Sequence, residues 1–140
     1  MWMAFANRLE QMLEDFEPVG EISRDRYGSM VMDYYALRLL GSTAVSQAAR
    51  GERDVPAVSV LKVLGSEAEQ NAARYALEAA GEDGLRDPGL TAPYNAYAPE
   101  LFGASWFARY VTTYAGTIAG GTSEIQRNII AQRVLGLPAR

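Results

Sequence analysis

The chain has no histidine and no cysteine. Without histidine there is no Ser–His or Cys–His relay, and without either residue a zinc site loses its usual ligands. Without cysteine there is no disulfide or thiol chemistry, and nothing marks the redox compartment. Lysine is almost missing too: Lys62 stands alone, and every other basic side chain is arginine. Positive charge is outweighed overall, 13 basic against 17 acidic residues, for a formal net charge of −4. A phosphate backbone calls for a basic surface, so nucleic acid is not an expected partner. No apolar run approaches the ~18–20 residues that span a bilayer. The opening "MWMAFANRLEQMLEDFE" has neither the basic n-region nor the small-residue cleavage site of a secretory signal. No membrane partner is expected, and the cytoplasm is the expected location. Strand-like alternation and internal repeats are missing as well.

What is present reads as helix. With 140 residues, 49% of them hydrophobic and 21% charged, the chain fits one domain over residues 1–140. Such a domain buries roughly two thirds of its unfolded surface. Trp2, Phe5, Leu9, Met12 and Phe16 recur at threes and fours, one apolar stripe on a helix over about 3–15. Pro18 and Gly20 end it. A second helix is expected from about Arg24 to Ala49; between Tyr27 and Ala49 only Asp33 and Arg38 are charged, so it reads as central. In "RGERDVPAV" Asp54 suits a cap and Pro56 a first-turn position. A third helix follows to about Ala80. Leu61, Leu64, Ala68, Ala72, Tyr75 and Ala79 form its expected inward face, with Lys62, Glu69 and Arg74 pointing elsewhere.

From Gly81 to Gly103 the chain is rich in Gly, Pro and Asn, a stretch expected to lie over another surface. A short helix over about 104–114 precedes a last one over about 122–135. Gly136 suits the left-handed position after that helix, with Leu137 and Pro138 beyond it. The chain is expected to be all-α. Tyr27, Tyr34, Tyr35 and Tyr75 read as core or interface aromatics, the acids of "EQMLEDFE" as a solvated face, and Asp83 and Asp87 as loop acids without metal geometry.

The most informative stretch is "IAGGTSEIQRNIIAQRVLG", residues 118–136. Ser123 and Gln126 have capping-box spacing, which would account for a helix start by local chemistry alone. The pair Gly120–Gly121 goes further. Without a Cβ it lets the backbone approach a ligand closely, and the first N–H groups of a helix point at whatever lies before it. Spacing alone therefore leaves two readings open: a capped helix after a glycine turn, or a helix start that faces an anion.

The run "TIAGGTSEIQRNIIAQRVLGLP", Thr117 to Pro138, closely resembles the C-terminal signature of the acyl-CoA dehydrogenases, flavoenzymes that introduce a double bond beside a thioester. Upstream, "ALRLLGSTAVSQAARG" and "SVLKVLGSEAEQNAARYALEAAG" resemble the two long helices of that family's C-terminal domain. The resemblance implies an up-and-down four-helix bundle with a long loop before the last two helices. It implies FAD as cofactor, with Gly121, Thr122, Ser123 and Glu124 approaching the flavin nucleotide and Gly121 also beside the substrate thioester. It implies assembly into homo- or hetero-oligomers.

Two positions depart from the family pattern. A neighbouring subunit usually offers Gln-x-x-Gly-Gly, where this chain reads Glu78-Ala79-Ala80-Gly81-Glu82. Gly81 is thus the one matching cofactor contact there, and the two carboxylates are expected to repel phosphate. The family's glutamate base directly before Gly-Thr-Ser is Gly120 here, which has no group to accept a proton. No catalytic residue is therefore expected. Glu124, the nearest acid, is by the same analogy a helix-start residue facing the nucleotide. The resemblance begins partway into the bundle, with Trp2 and Met3 expected to be exposed. The resemblance finds no counterpart here for that family's N-terminal helical and middle β-domains, so acyl-CoA is expected to bind only together with those domains or a partner subunit. A domain of a dehydrogenase, a non-catalytic partner subunit and a stand-alone helical interaction module are the readings carried forward.

Overall fold

The structure, a computed structural model, describes residues 2–15, 18, 20–52, 57–85 and 106–138. The expected cap at Asp54 and Pro56 and most of the 81–103 stretch, Asp87 included, lie outside them. The chain is all-α, with helices α1 (Trp2–Asp15), α2 (Glu21–Ala49), α3 (Ala57–Ala79), a single turn α4 (Gly81–Gly84), α5 (Trp106–Ile118) and α6 (Ser123–Ile129). A π-helical turn over Ile130–Val134 completes α6.

The α1 stripe behaves as its spacing requires: Phe5, Ala6, Leu9 and Met12 are buried, while Met3 is exposed. The side chain of Trp2 lies outside the described ones. Gly20, at φ 86°, breaks the chain before α2, which begins at Glu21, three residues earlier than expected. Glu21 in that first turn suits the positive end of the helix.

The second helix is not the central one. Met30, Leu37 and Ala44 are buried, but Met32, Tyr35, Leu39 and Val45 face outward. The centre is α3, which packs against α1, α2, α5 and α6. Its sequence explains why: Gly65, Ser66, Ala68, Ala72, Ala73 and Ala76 are all buried, and small side chains on several sides let several neighbours approach at once. At Gly65 the fit is closest, since a Cβ there would stand 2.5 Å from the Phe5 ring. The expected inward face holds for Leu61, Ala68, Ala72 and Tyr75, whereas Ala79 is exposed. Lys62 and Glu69, expected to point away, are buried. A helix surrounded on most sides leaves little room for an outward polar face.

Hydroxyl groups tie the elements together. Tyr27 donates to the Leu13 carbonyl, Tyr34 to the Glu10 carboxylate, and Ser23 bonds the Tyr75 hydroxyl. Those tyrosines therefore lie at boundaries, as expected, while Tyr35 is exposed. Glu10, read as solvated, is half-buried under its bond from Tyr34. The α5 helix runs four residues past its expected end at Tyr114. After the π-helical turn, Gly136 adopts φ 66° and the Leu137 N–H reaches the Ala131 carbonyl at 2.9 Å, the left-handed stop its sequence calls for.

Candidate functional site

The turn between α5 and α6 has Gly120 at φ 72° and Gly121 at φ 95°, backbone that L side chains rarely adopt. A Cβ on Gly120 would meet nothing within 4 Å, whereas one on Gly121 would stand 3.1 Å from the Gln126 amide nitrogen. The turn is therefore open on one side and filled by Gln126 on the other.

The cap of α6 is Thr122, one residue earlier than the expected Ser123. Thr122 has extended backbone, and its hydroxyl oxygen accepts from the Ile125 N–H at 3.4 Å. The expected reciprocal bond from Gln126 to the cap is not made. Gln126 donates instead to the Gly120 carbonyl at 2.7 Å, tying down the turn itself. Once Thr122 is the cap, Ile125 holds the position a capping box requires of Glu or Gln. Ser123, freed from capping, is buried at the first helical position.

Glu124 is exposed, and its carboxyl is held below the ordinary carboxylate range. The main cause is the hydrogen bond from its own backbone N–H, followed by the Thr122 hydroxyl, with Arg127 and Lys62 assisting. A helix start carrying a carboxylate is favoured for the reason any anion is favoured there. The same contacts favour the charged form of the Glu124 carboxyl.

Beneath the turn lies Lys62, buried in α3, which donates to the Thr117 carbonyl at 2.9 Å and so satisfies one of the last carbonyls of α5. Burial pushes its ammonium below the ordinary lysine range, against the pull of Glu67 and Glu124. Arg127 on α6 grips both oxygens of Glu67 on α3 at 2.6 and 2.9 Å. Lys62, Glu67, Glu124 and Arg127 thus alternate in sign around the turn.

Gly121, Thr122, Ser123 and Glu124 lie together by sequence. Gly81 does not join them. It follows α3, whereas Lys62 and Glu67 meet the turn in the first half of that helix, so about 20 Å of helix separates the two places. Gly81 itself is open, at φ 58° with nothing within 4 Å of an added Cβ. The expected repulsion by Glu78 is altered: its carboxylate is bonded by Arg74 at 2.9 Å and by Arg26, which together hold its pKa down. The negative charge at Glu78 is therefore offset by two guanidinium groups.

Sequence reasoning turned Lys62 away from the core, and it read Arg127 first as a solvated arginine and only second as one that meets a carboxylate, without naming Glu67. The signal for Lys62 was its setting, a single lysine with Leu61, Gly65, Ser66 and Ala68 within about two turns. Among the described residues, no group of three or more Cys, His, Asp or Glu is placed to hold a metal ion, and no helix is long and apolar enough to cross a membrane.

Comparison with known proteins adds to this geometry. The family model described as acyl-CoA dehydrogenase, C-terminal domain, matches residues 19–135. The acyl-CoA dehydrogenase IpdE1 of Mycobacterium tuberculosis is 35% identical over 117 residues, covering 84% of this chain and 26% of that protein. The protein of the same name from Mycolicibacterium smegmatis is 64% identical over 33 residues, 24% of this chain and 8% of that protein. Among solved structures, glutaryl-CoA dehydrogenase from Mycobacterium smegmatis shares the fold with a TM-score of 0.71 at 18% identity, over 99% of this chain and 34% of that one. The ChsE4-ChsE5 complex from Mycobacterium tuberculosis matches with a TM-score of 0.65 at 20% identity, over 99% of this chain and 36% of the matched chain. The chain thus spans about a quarter of IpdE1 from Mycobacterium tuberculosis and about a third of the solved chains.

Proposed function

The chain belongs to the acyl-CoA dehydrogenase family, as a C-terminal helical domain, and from that premise we propose that it contributes flavin contacts and an assembly interface to the FAD-dependent oxidation of acyl-CoA thioesters, without turning over alone. The observation that carries this reading is the turn at Gly120–Glu124, with its open glycine, its helix start and the buried Lys62 behind it. The donors present fit a phosphate-bearing group. The Ser123 backbone N–H opens the helix, the Thr122 hydroxyl stands at the cap, and among the described residues nothing lies within 4 Å of a Cβ placed on Gly120. Glu124 is the residue that must swing away for an anion to come close.

FAD, when bound, supplies the hydride acceptor. Thr122, Ser123 and the Gly121 backbone would hold its nucleotide portion, with Gly121 also beside the thioester. Gly81 would serve a neighbouring subunit's cofactor, which accords with its distance from the turn in its own chain. The proton acceptor would come from outside these residues, because Gly120 has no acidic or basic group.

A second reading is favoured by Gly120 together with the likeness to a complex of two different chains. In it this chain is a non-catalytic partner that lends its bundle to a longer, complete dehydrogenase subunit.

The test is light scattering with a flavin spectrum of the same peak, with and without added FAD, on the chain alone and mixed with a longer acyl-CoA dehydrogenase chain. Both readings expect co-elution with flavin absorbance, reduced in Gly120→Val. The partner reading further expects flavin-dependent oxidation by the mixed complex. Absence of co-elution, flavin absorbance and any FAD effect on stability, even with the longer chain, overturns both and leaves a helical interaction module.

A further inference from the structure

Lys62 is a costly residue to bury. It is 5% exposed, and its neighbours Leu61, Gly65, Ser66 and Ala68 on α3 are buried with it. An ammonium taken out of water loses more hydration than one carbonyl bond returns. Burial accordingly holds it below the ordinary lysine range, so the folded chain favours the charge less than the unfolded chain does. An apolar side chain of similar length would suit the fold as well or better. The role of the lysine therefore lies in the group it holds.

That group is the Thr117 carbonyl, 2.9 Å from Nζ, one residue before the end of α5 and three before Gly120. It belongs to the last turn, whose carbonyls have no partner within the helix. Two glycines with positive φ follow in succession, a soft joint in the backbone. Three hydrogen bonds fix the chain across this joint. Thr122 accepts from the Ile125 N–H at 3.4 Å and Gln126 donates to the Gly120 carbonyl at 2.7 Å, but both bonds are exposed and lie within the turn and α6. The Lys62 bond comes from another helix, through a buried side chain. It sets where the turn sits on α3, whereas the other two set the turn's own shape. Beyond the joint the Arg127–Glu67 pair also holds α6 to α3, through side chains 55% and 36% exposed, where water competes. Glu67 and Glu124 both attract the ammonium. When Glu124 moves aside for an anion, Lys62 remains as the fixed cation beneath the turn.

We propose that Lys62 is a positioning residue: by anchoring the last turn of α5 it holds the Gly120–Gly121 turn where the flavin nucleotide is contacted, at no gain to the stability of the fold. The inference deepens the flavin reading above and rests on it.

Lys62→Met keeps most of the stem and removes both donor and charge. The variant is expected to melt at or above the temperature of the unmodified chain. The Ala119 amide, bonded to the Ala115 carbonyl at 2.8 Å, should nonetheless exchange at least about tenfold faster. The order parameters of Gly120 and Gly121 should fall below about 0.6. The dissociation constant for FAD, measured on the chain mixed with a longer dehydrogenase chain, should rise at least about tenfold. Because the chain lacks cysteine, the ammonium can be put back at this one site. Lys62→Cys, alkylated with 2-bromoethylamine while unfolded and then refolded, should recover Ala119 protection and FAD affinity. The same variant alkylated with bromoethane, which adds no donor, should not.

A lower melting temperature with faster exchange throughout α1–α3 would make Lys62 a structural residue and overturn the proposal. So would unchanged Ala119 exchange in Lys62→Met, or a refolded aminoethylated chain no better protected than the ethylated one. If Lys62→Met loosens the turn yet binds FAD as tightly as before, the proposal falls and the flavin reading stands. If the unmodified chain takes up no FAD even in the mixture, the flavin reading falls, and the hold of Lys62 on the turn is judged by Ala119 exchange alone.

Discussion

The two ends of the bundle are held by different forces. Between α1, α2 and α3 the contacts are apolar: Phe5, Leu9, Met12, Leu37 and Leu61 are buried with a row of alanines from α3. In α5 and α6 the buried residues are Thr113 and Ser123, while Phe107, Val111, Tyr114, Ile118 and Ile125 point outward. This second part reaches the apolar core only through the partly buried Trp106 and Tyr110, and is tied to α3 by Lys62 on the Thr117 carbonyl and by Arg127 on Glu67. The lesson is that the part carrying the candidate site depends least on its own core and presents the most apolar surface for something else to cover.

That contrast can be broken most forcefully in the apolar part. Leu37 is 0% exposed, so Leu37→Ala is expected to destabilise the chain by about 2–5 kcal/mol in urea unfolding, through lost transfer and the cavity left behind. A loss below that range would mean the α1–α3 core is looser than its burial implies. Gly65→Ala is expected to cost about 1–3 kcal/mol, because the new methyl group meets the Phe5 ring. Unchanged thermal stability would show that α1 moves freely on α3.

The polar links should answer to pH. Burial lowers the pKa of Lys62 in the folded chain, so between that lowered value and the ordinary lysine value the unfolded chain binds more protons. Stability should therefore rise with pH across that interval. Lys62→Met should lack this contribution, and identical alkaline slopes in both proteins would remove the buried ammonium from the account. The smallest effect is expected from Arg127→Ala. This pair is partly exposed, so the loss should stay under about 1 kcal/mol. Faster amide exchange confined to α6 should accompany it; a uniform change across α1–α3 would contradict the division into two parts.

Much of the apolar part could be read in advance. Phe5, Leu9 and Met12 lie on one stripe of α1 because helical spacing alone puts them there, and each is buried. The low charge of α2 beyond Tyr27 was equally plain but misleading: among the described residues its neighbours cover one face, and Met32, Tyr35, Leu39 and Val45 stay exposed. The helix start at residues 120–126 was legible to within one residue. Thr122 and Ser123 are chemically near-equivalent caps, and the choice fell to the residue whose backbone the glycine turn leaves extended. The role of Lys62 was less accessible, since its partner is a carbonyl 55 residues away.

The sequence by itself therefore determined the helices, their stops and the glycine turn, because periodicity, caps and left-handed glycine act within a few residues. It also determined the absence of an acid or base at Gly120, which no packing can restore. Tertiary structure decided which helix is central, which acids acquire arginine partners and where the lone lysine goes. Those outcomes depend on groups far apart in the chain meeting where water is excluded, and no local pattern encodes that meeting.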